Sequence, residues 1–146
     1  MSQEDVENLR TWATAWEAPP AGGPMVDCRT GEPVTNHLDL DVVYEDAFLP
    51  DHAQETYRGH QGVIRATDRW AEPFEDLRVE LERIVDAGAC LVSIHRFRAR
   101  AKHTGIEFDE PLAILWRFRG GRVVYFRSFR DSDDALEAAG LSSSRH

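Results

Sequence analysis

The stretch Asp41-Val42-Val43-Tyr44-Glu45-Asp46, followed by Tyr57-Arg58-Gly59-His60, reads as a short strand leading toward a helix start, and the rest of the chain is organised around it. Side chains of a strand alternate between faces, so Val42, Tyr44 and Asp46 share one face while Val43 and Glu45 share the other. Asp46 therefore points where two apolar residues point, inward. A carboxylate among apolar neighbours is costly unless it is paired, hydrogen-bonded or held for chemistry, which makes Asp46 the first candidate functional residue. The bland alternative is a strand-end Asp that leans into solvent or caps the next turn.

Toward the N-terminus, Ser2 with Asp5 resembles a capping box, and Val6, Leu9, Trp12, Ala13 and Trp16 recur at spacings of three and four. This pattern predicts an amphipathic helix over residues 3–17. Pro19 and Pro20 stop it, and the Pro- and Gly-rich stretch from Glu17 to Thr35 reads as an irregular loop or lid across the mouth of the fold. Residues 36–40 read as a short helical turn.

Toward the C-terminus, residues 49–56 are polar and loop-like. Gly59 and Gly62 flank the start of a second helix over residues 61–72, in which Val63, Thr67 and Trp70 fall at helical spacing before Pro73. From Asp76 the period changes to two, with Leu77, Val79 and Leu81 alternating with Arg78, Glu80 and Glu82. The run from Cys90 to His103 carries Leu91, Ser93, His95, Phe97 and Ala99 on one side and Val92, Ile94, Arg96, Arg98 and Arg100 on the other. Ile106 to Arg119 and Arg122 to Arg130 are two further strands joined by the hairpin signal Gly120-Gly121. Asp131 to Asp134 open a final helix, Ala135 to Ala139, which Gly140 stops, and residues 141–146 are Ser-rich and read as frayed. Helices gathered on the concave face of one strongly curved, mainly antiparallel sheet define an α+β cone, a single domain with an apolar interior and one mouth.

Length and composition agree with this plan. The chain has 146 residues, of which 42% are hydrophobic and 10% aromatic, enough to form one domain with a sizeable core. With 26 acidic against 17 basic residues the net charge is −9, which argues against general attraction to nucleic acid or to an anionic membrane. No apolar run is long enough to span a membrane, and the opening Ser2-Gln3-Glu4-Asp5 lacks a basic-then-apolar leader, so a cytoplasmic location is expected. Cys28 and Cys90 form no CxxC pair and read as free thiols.

The Asp41–Asp46 strand, Tyr57-Arg58-Gly59 before a helix, Glu72-Pro73-Phe74-Glu75-Asp76-Leu77 after it, Trp116 to Val124 and the ending Arg130-Asp131 to Gly140-Leu141 together resemble the nuclear transport factor two-like superfamily, in its SnoaL-like polyketide cyclase and ketosteroid isomerase branch. The resemblance spans about residues 5–141, with the Glu17–Thr35 stretch replacing a usual short link. It implies a conical fold, a cofactor-free pocket and a homodimer through the outer face of the sheet. It also places Asp46 at the general-base position of the ketosteroid isomerases. Trp12 and Ile114 stand where those enzymes hold their oxyanion donors, and in the cyclases a histidine commonly occupies the Ile114 position. An indole offers only a weak N–H and an isoleucine nothing, so steroid isomerisation does not carry over. Of the Asp-Arg-Asp set of the epoxide hydrolase relatives, Arg96 fits the arginine, but Arg98 and Ser128 stand where the acids would be.

Three residues are thus candidate catalysts: Asp46 as base, with His95 or Tyr44 as donor to a developing enolate. Trp12, Trp16, Trp70, Phe74, Phe97, Ile114, Phe126 and Ser128 are candidate substrate-contacting residues, the aromatic ones being equally readable as plain core. The expected reaction is isomerisation, dehydration or aldol-type cyclisation of a small apolar carbonyl or polyketide-like compound. The alternatives are a non-catalytic ligand-binding or scaffold protein of the same fold and, more weakly, an epoxide hydrolase. No cofactor and no metal is expected, since His52 near Asp51 and His103 near Glu107 form no three-ligand set, and His60 reads as a helix-start cap. Arg96, Arg98, Arg100, Arg117 and Arg127 with Glu80, Glu82, Tyr125 and Phe129 form an outer face of mixed charge, the expected homodimer surface.

Overall fold

The computed structural model describes residues 3–19, 22–48 and 55–141. Element order is α1 (Gln3–Ala13), β1 (Ala15–Glu17), β2 (Val26–Asp27), a 3-10 turn (Val34–His37), β3 (Leu38–Ala47), β4 (Glu55–Arg58), α2 (Gly59–Ala71), β5 (Phe74–Asp86), β6 (Leu91–Ala101), β7 (Glu107–Arg119), β8 (Arg122–Phe129) and α3 (Ser132–Ala138). The strands form one sheet in the order β2-β1-β5-β6-β7-β8-β3-β4. Neighbours are antiparallel except β3 and β8, which run parallel with Tyr44 opposite Phe126 and Asp46 opposite Ser128. Register shifts in β5, between Glu75 and Arg78 and again between Leu81 and Arg83, bend the sheet, and Asp76 takes a left-handed φ of 54° at the first.

The concave face and the helices α1 and α2 enclose the larger core, which includes Leu9, Trp12, Val42, Tyr44, Val63, Trp70, Phe97 and Trp116. A second, smaller core lies on the convex face, where α3 covers Val92, Ile94, Ala113, Leu115 and Phe129. The outer face is therefore not uniformly polar. Phe129, expected to be exposed there, is buried under α3, because Asp131 caps that helix by accepting a hydrogen bond from the Asp133 backbone N–H at 2.8 Å and turns it back over the sheet. Arg96, Arg98 and Arg100 do stand outward, each paired within the chain: Arg96 with Asp109, Arg98 with Glu80, and Arg100 with Glu75 and Asp76.

The first helix is shorter than its periodicity predicts. It ends at Ala13, and Trp16 joins a strand opposite Val79 of β5 instead. The Trp16 indole N–H donates to the Trp12 carbonyl at 2.8 Å, satisfying a backbone acceptor that the ended helix leaves free. Part of the stretch read as irregular is likewise paired: β2 extends the sheet beside β1, with Trp16 opposite Asp27. The helical turn expected at 36–40 comes earlier, at Val34–His37, so β3 begins at Leu38. Residues 55 and 56, read as loop, belong to β4. The remaining expectations for 49–54, including His52, and for the tail 142–146 lie outside the described residues.

Two glycines set the approach of α2. Gly59 has a φ of 70°, and a Cβ on Gly62 would stand 3.1 Å from the Tyr57 carbonyl carbon, so β4 and α2 meet only because no side chain intervenes. His60, expected to cap the helix start, does not: the N-cap position is Arg58, with no side-chain cap, and His60 lies within the first turn of α2, its Nε2 3.0 Å from the Leu38 carbonyl oxygen of β3. No helix among the described residues is long and apolar enough to cross a membrane.

Candidate functional site

Between the concave face, α1 and α2 lies a cavity that offers about 90 Å³ to the centre of a water-sized molecule. One ordered water needs roughly 10–15 Å³ on that measure, so the space admits several waters or one compact organic molecule. Trp12 comes to its wall from α1, Trp16 from β1, Leu38 and Tyr44 from β3, and Val63, Ala66, Thr67 and Trp70 from α2. The sheet adds Val79 from β5, Leu112, Ile114 and Trp116 from β7, and Phe126 and Ser128 from β8. Met25 and Val34, from the stretch read as a lid, complete it. Among the described residues the wall contains no acidic, basic or histidine side chain, and its side-chain oxygens belong to Tyr44, Thr67 and Ser128.

Seven of the residues singled out in the sequence thus meet here: Trp12, Trp16, Tyr44, Trp70, Ile114, Phe126 and Ser128. Phe74 and Phe97 do not. Phe97 packs edge-on to Trp70 at 5.5 Å and lies 5.5 Å from Phe48, which itself stacks on Trp70 at 4.6 Å, so the Trp70 and Phe48 rings stand between it and the cavity. Phe74 packs on Phe97 from beyond and borders a separate, acid-rich cleft with Glu17, Asp68 and Glu72. Trp116 was missed as a wall residue, although its parity with Leu112 and Ile114 on β7 marks it as inward.

Asp46 points inward as its strand parity predicts and is 2% exposed, yet it stands one layer behind the wall. Its Oδ1 accepts from the Phe48 backbone N–H at 2.8 Å and from the Ser128 hydroxyl at 3.3 Å, and its Oδ2 accepts from the Trp70 indole N–H at 2.9 Å. Ser128 in turn lies 2.6 Å from the Tyr44 hydroxyl, so a hydrogen-bonded chain runs from the carboxylate to the cavity wall. Burial first, and then the charge of Asp46, push the Tyr44 phenol well above its usual range and keep it protonated.

His95 also lies on the inward face and also stands behind the wall. Its ring is fully buried beneath Trp16, with centroids 5.2 Å apart. Its Nε2 is 2.6 Å from the Ser93 hydroxyl, which accepts the Trp116 indole N–H at 2.7 Å. The other ring nitrogen, Nδ1, is buried and has no hydrogen-bond partner among the described residues. Burial lowers the imidazole pKa to about 3, so the ring is neutral at neutral pH.

Three of the four tryptophan N–H groups are thus committed to protein acceptors. Trp12, the fourth, stacks parallel on His37 at 4.6 Å, and His37 Nε2 lies 2.6 Å from Glu32. Arg96, matched to an epoxide hydrolase position, turns away from the cavity and donates to Asp109 at 2.9 Å. No group of three or more His, Cys, Asp or Glu side chains among the described residues is placed to hold a metal ion. Cys28 and Cys90 are free thiols.

With this geometry in hand, comparison with known proteins is informative about the fold. The model of the SnoaL-like domain matches residues 25–126. No curated protein matches in sequence. Among solved structures, a protein of ketosteroid isomerase-like fold from Catenulispora acidiphila DSM 44928, in complex with trimethylamine, superposes with a TM-score of 0.58 at 19% identity, covering 74% of this chain and 80% of its own. An NTF2-like protein of unknown function from Burkholderia pseudomallei K96243 gives 0.59 at 23% identity over 71% of this chain and 80% of that one. A SnoaL-like polyketide cyclase, so described, from Jannaschia sp. CCS1 gives 0.57 at 19% identity over 76% of each chain.

Proposed function

The chain belongs to the SnoaL-like domain family, and from that premise we propose that it is a small-molecule-binding domain whose cavity takes one compact, largely apolar organic molecule. One observation carries this reading: among the described residues the wall is carbon and indole with the Tyr44–Ser128 hydroxyl pair and Thr67, while both ionisable candidates, Asp46 and His95, are held a layer behind it by hydrogen bonds to other protein groups. Such a wall binds by burial of apolar surface and orients its ligand through few polar points. The trimethylamine complex of the Catenulispora protein is one instance of a small organic molecule held by this fold.

A second reading is favoured by the chain Tyr44–Ser128–Asp46. If Tyr44 takes a proton from a ligand as it passes its own to Ser128, and Ser128 passes its own to Asp46, then Asp46 serves as a base through two hydroxyls, and the domain is an isomerase, dehydratase or cyclase of the SnoaL type.

Titration of the tryptophan fluorescence with single-ring compounds tests the first reading. Saturable binding that Trp12→Ala weakens supports it, and the lack of any saturable change overturns it. The same samples in D2O, with cyclohexanone followed by proton NMR, separate the two. Exchange of its α-protons above the buffer rate, abolished by Tyr44→Phe, establishes the enzyme. Binding without exchange establishes the binder.

A further inference from the structure

We propose that the Tyr44 end of the cavity is built to receive a hydrogen-bond donor, so that the pocket takes a small protonated amine in preference to a ketone of the same shape. The inference rests on the binding reading above and follows from the direction of the hydrogen bonds.

Each oxygen of Asp46 already faces a group that can only donate, the Phe48 backbone N–H on Oδ1 and the Trp70 indole N–H on Oδ2. The carboxylate is therefore the acceptor at the end of the chain. Ser128 donates to it, which uses the one proton of that hydroxyl. The Tyr44 oxygen lies 2.6 Å from the Ser128 oxygen, and Ser128 has no second proton, so Tyr44 must be the donor between them. The phenol of Tyr44, a wall residue, then has no proton left to give a ligand, and its oxygen can only accept.

A carbonyl placed there sets lone pair against lone pair. An N–H completes the chain instead, and a positive charge on it is favoured by the Asp46 carboxylate two hydrogen bonds behind. Among the described residues no lysine, arginine or histidine stands in the wall to supply that charge already. The Thr67 hydroxyl rotates to suit either kind of group, and the Trp12 indole N–H can serve an acceptor elsewhere on the ligand. Neither alters what Tyr44 presents.

The experiment compares three probes of one ring size, cyclohexylamine, cyclohexanone and methylcyclohexane, by fluorescence titration of the full chain at neutral pH. The amine should bind about tenfold or more tighter than the ketone. Tyr44→Phe, which keeps the ring, should bring the two within about threefold. Ser128→Ala releases the phenol proton and should move the preference toward the ketone. A wild-type preference for cyclohexanone, or an amine preference that survives in both variants, overturns the inference while leaving a binding cavity. If none of the three probes binds, the binding reading itself falls, and this inference with it.

Discussion

Asp46 on β3 and His95 on β6 are both buried behind the cavity wall and linked to it through a serine, yet they are opposite in polar satisfaction. Among the described residues Asp46 accepts hydrogen bonds from a backbone N–H, an indole and a hydroxyl. His95 has one hydrogen-bond partner among them and an orphaned Nδ1. A buried group with its donors in place can carry charge and polarise the hydroxyls in front of it, whereas a buried group without them stays neutral and acts as packing with a polar edge. The two halves of the cavity therefore differ: the Tyr44 side is electrically directional, and the Trp116 side is not.

The sharpest way to break this contrast is to remove the acceptor. Asp46→Ala strands the Phe48 and Trp70 N–H groups at once and should cost about 4 kcal/mol of stability, read as a lower urea midpoint. A loss under about 1 kcal/mol would mean that those donors find other partners. The next effect is the pH dependence contributed by His95. Its folded pKa of about 3 lies below the unfolded value of 6.5, so the unfolded chain binds the extra proton between these two values. Stability is therefore unaffected by this group above about pH 6.5 and falls as the pH drops toward 3, by on the order of 5 kcal/mol in all. Urea midpoints measured from pH 7 to pH 4 should fall less steeply in His95→Phe than in the wild type, and parallel profiles would show that the ring is not held neutral. The smallest effect compares the two serines. Ser93→Ala strands the Trp116 N–H and the last partner of His95 and should cost about 2 kcal/mol, while Ser128→Ala leaves Tyr44 beside the cavity, where water can accept its proton, and should cost about 1 kcal/mol.

Much of this arrangement is legible along the chain because a strand writes its faces at a period of two. The alternation of Val42, Tyr44 and Asp46, and of Leu91, Ser93, His95 and Phe97, assigns every one of them correctly to the inward side. The hairpin at Gly120-Gly121 and the strands on either side of it are equally local signals. Local pattern failed where a distant partner decided the matter. Trp16 continues the helical spacing of α1, but pairing with Val79 places it in a strand. Phe129 alternates as an outward residue, yet α3 folds back over it.

What the sequence alone determined is thus which residues face inward and the order of the elements, since both follow from spacing and turn chemistry. Depth was decided only by the tertiary structure. Asp46 is kept from the cavity by Trp70 and Ser128, distant along the chain on α2 and β8, and His95 by Trp16 on β1 and by Trp116 on β7. Parity tells a side chain which way to point, but what lies in front of it depends on elements that reach it only when the chain has closed on itself.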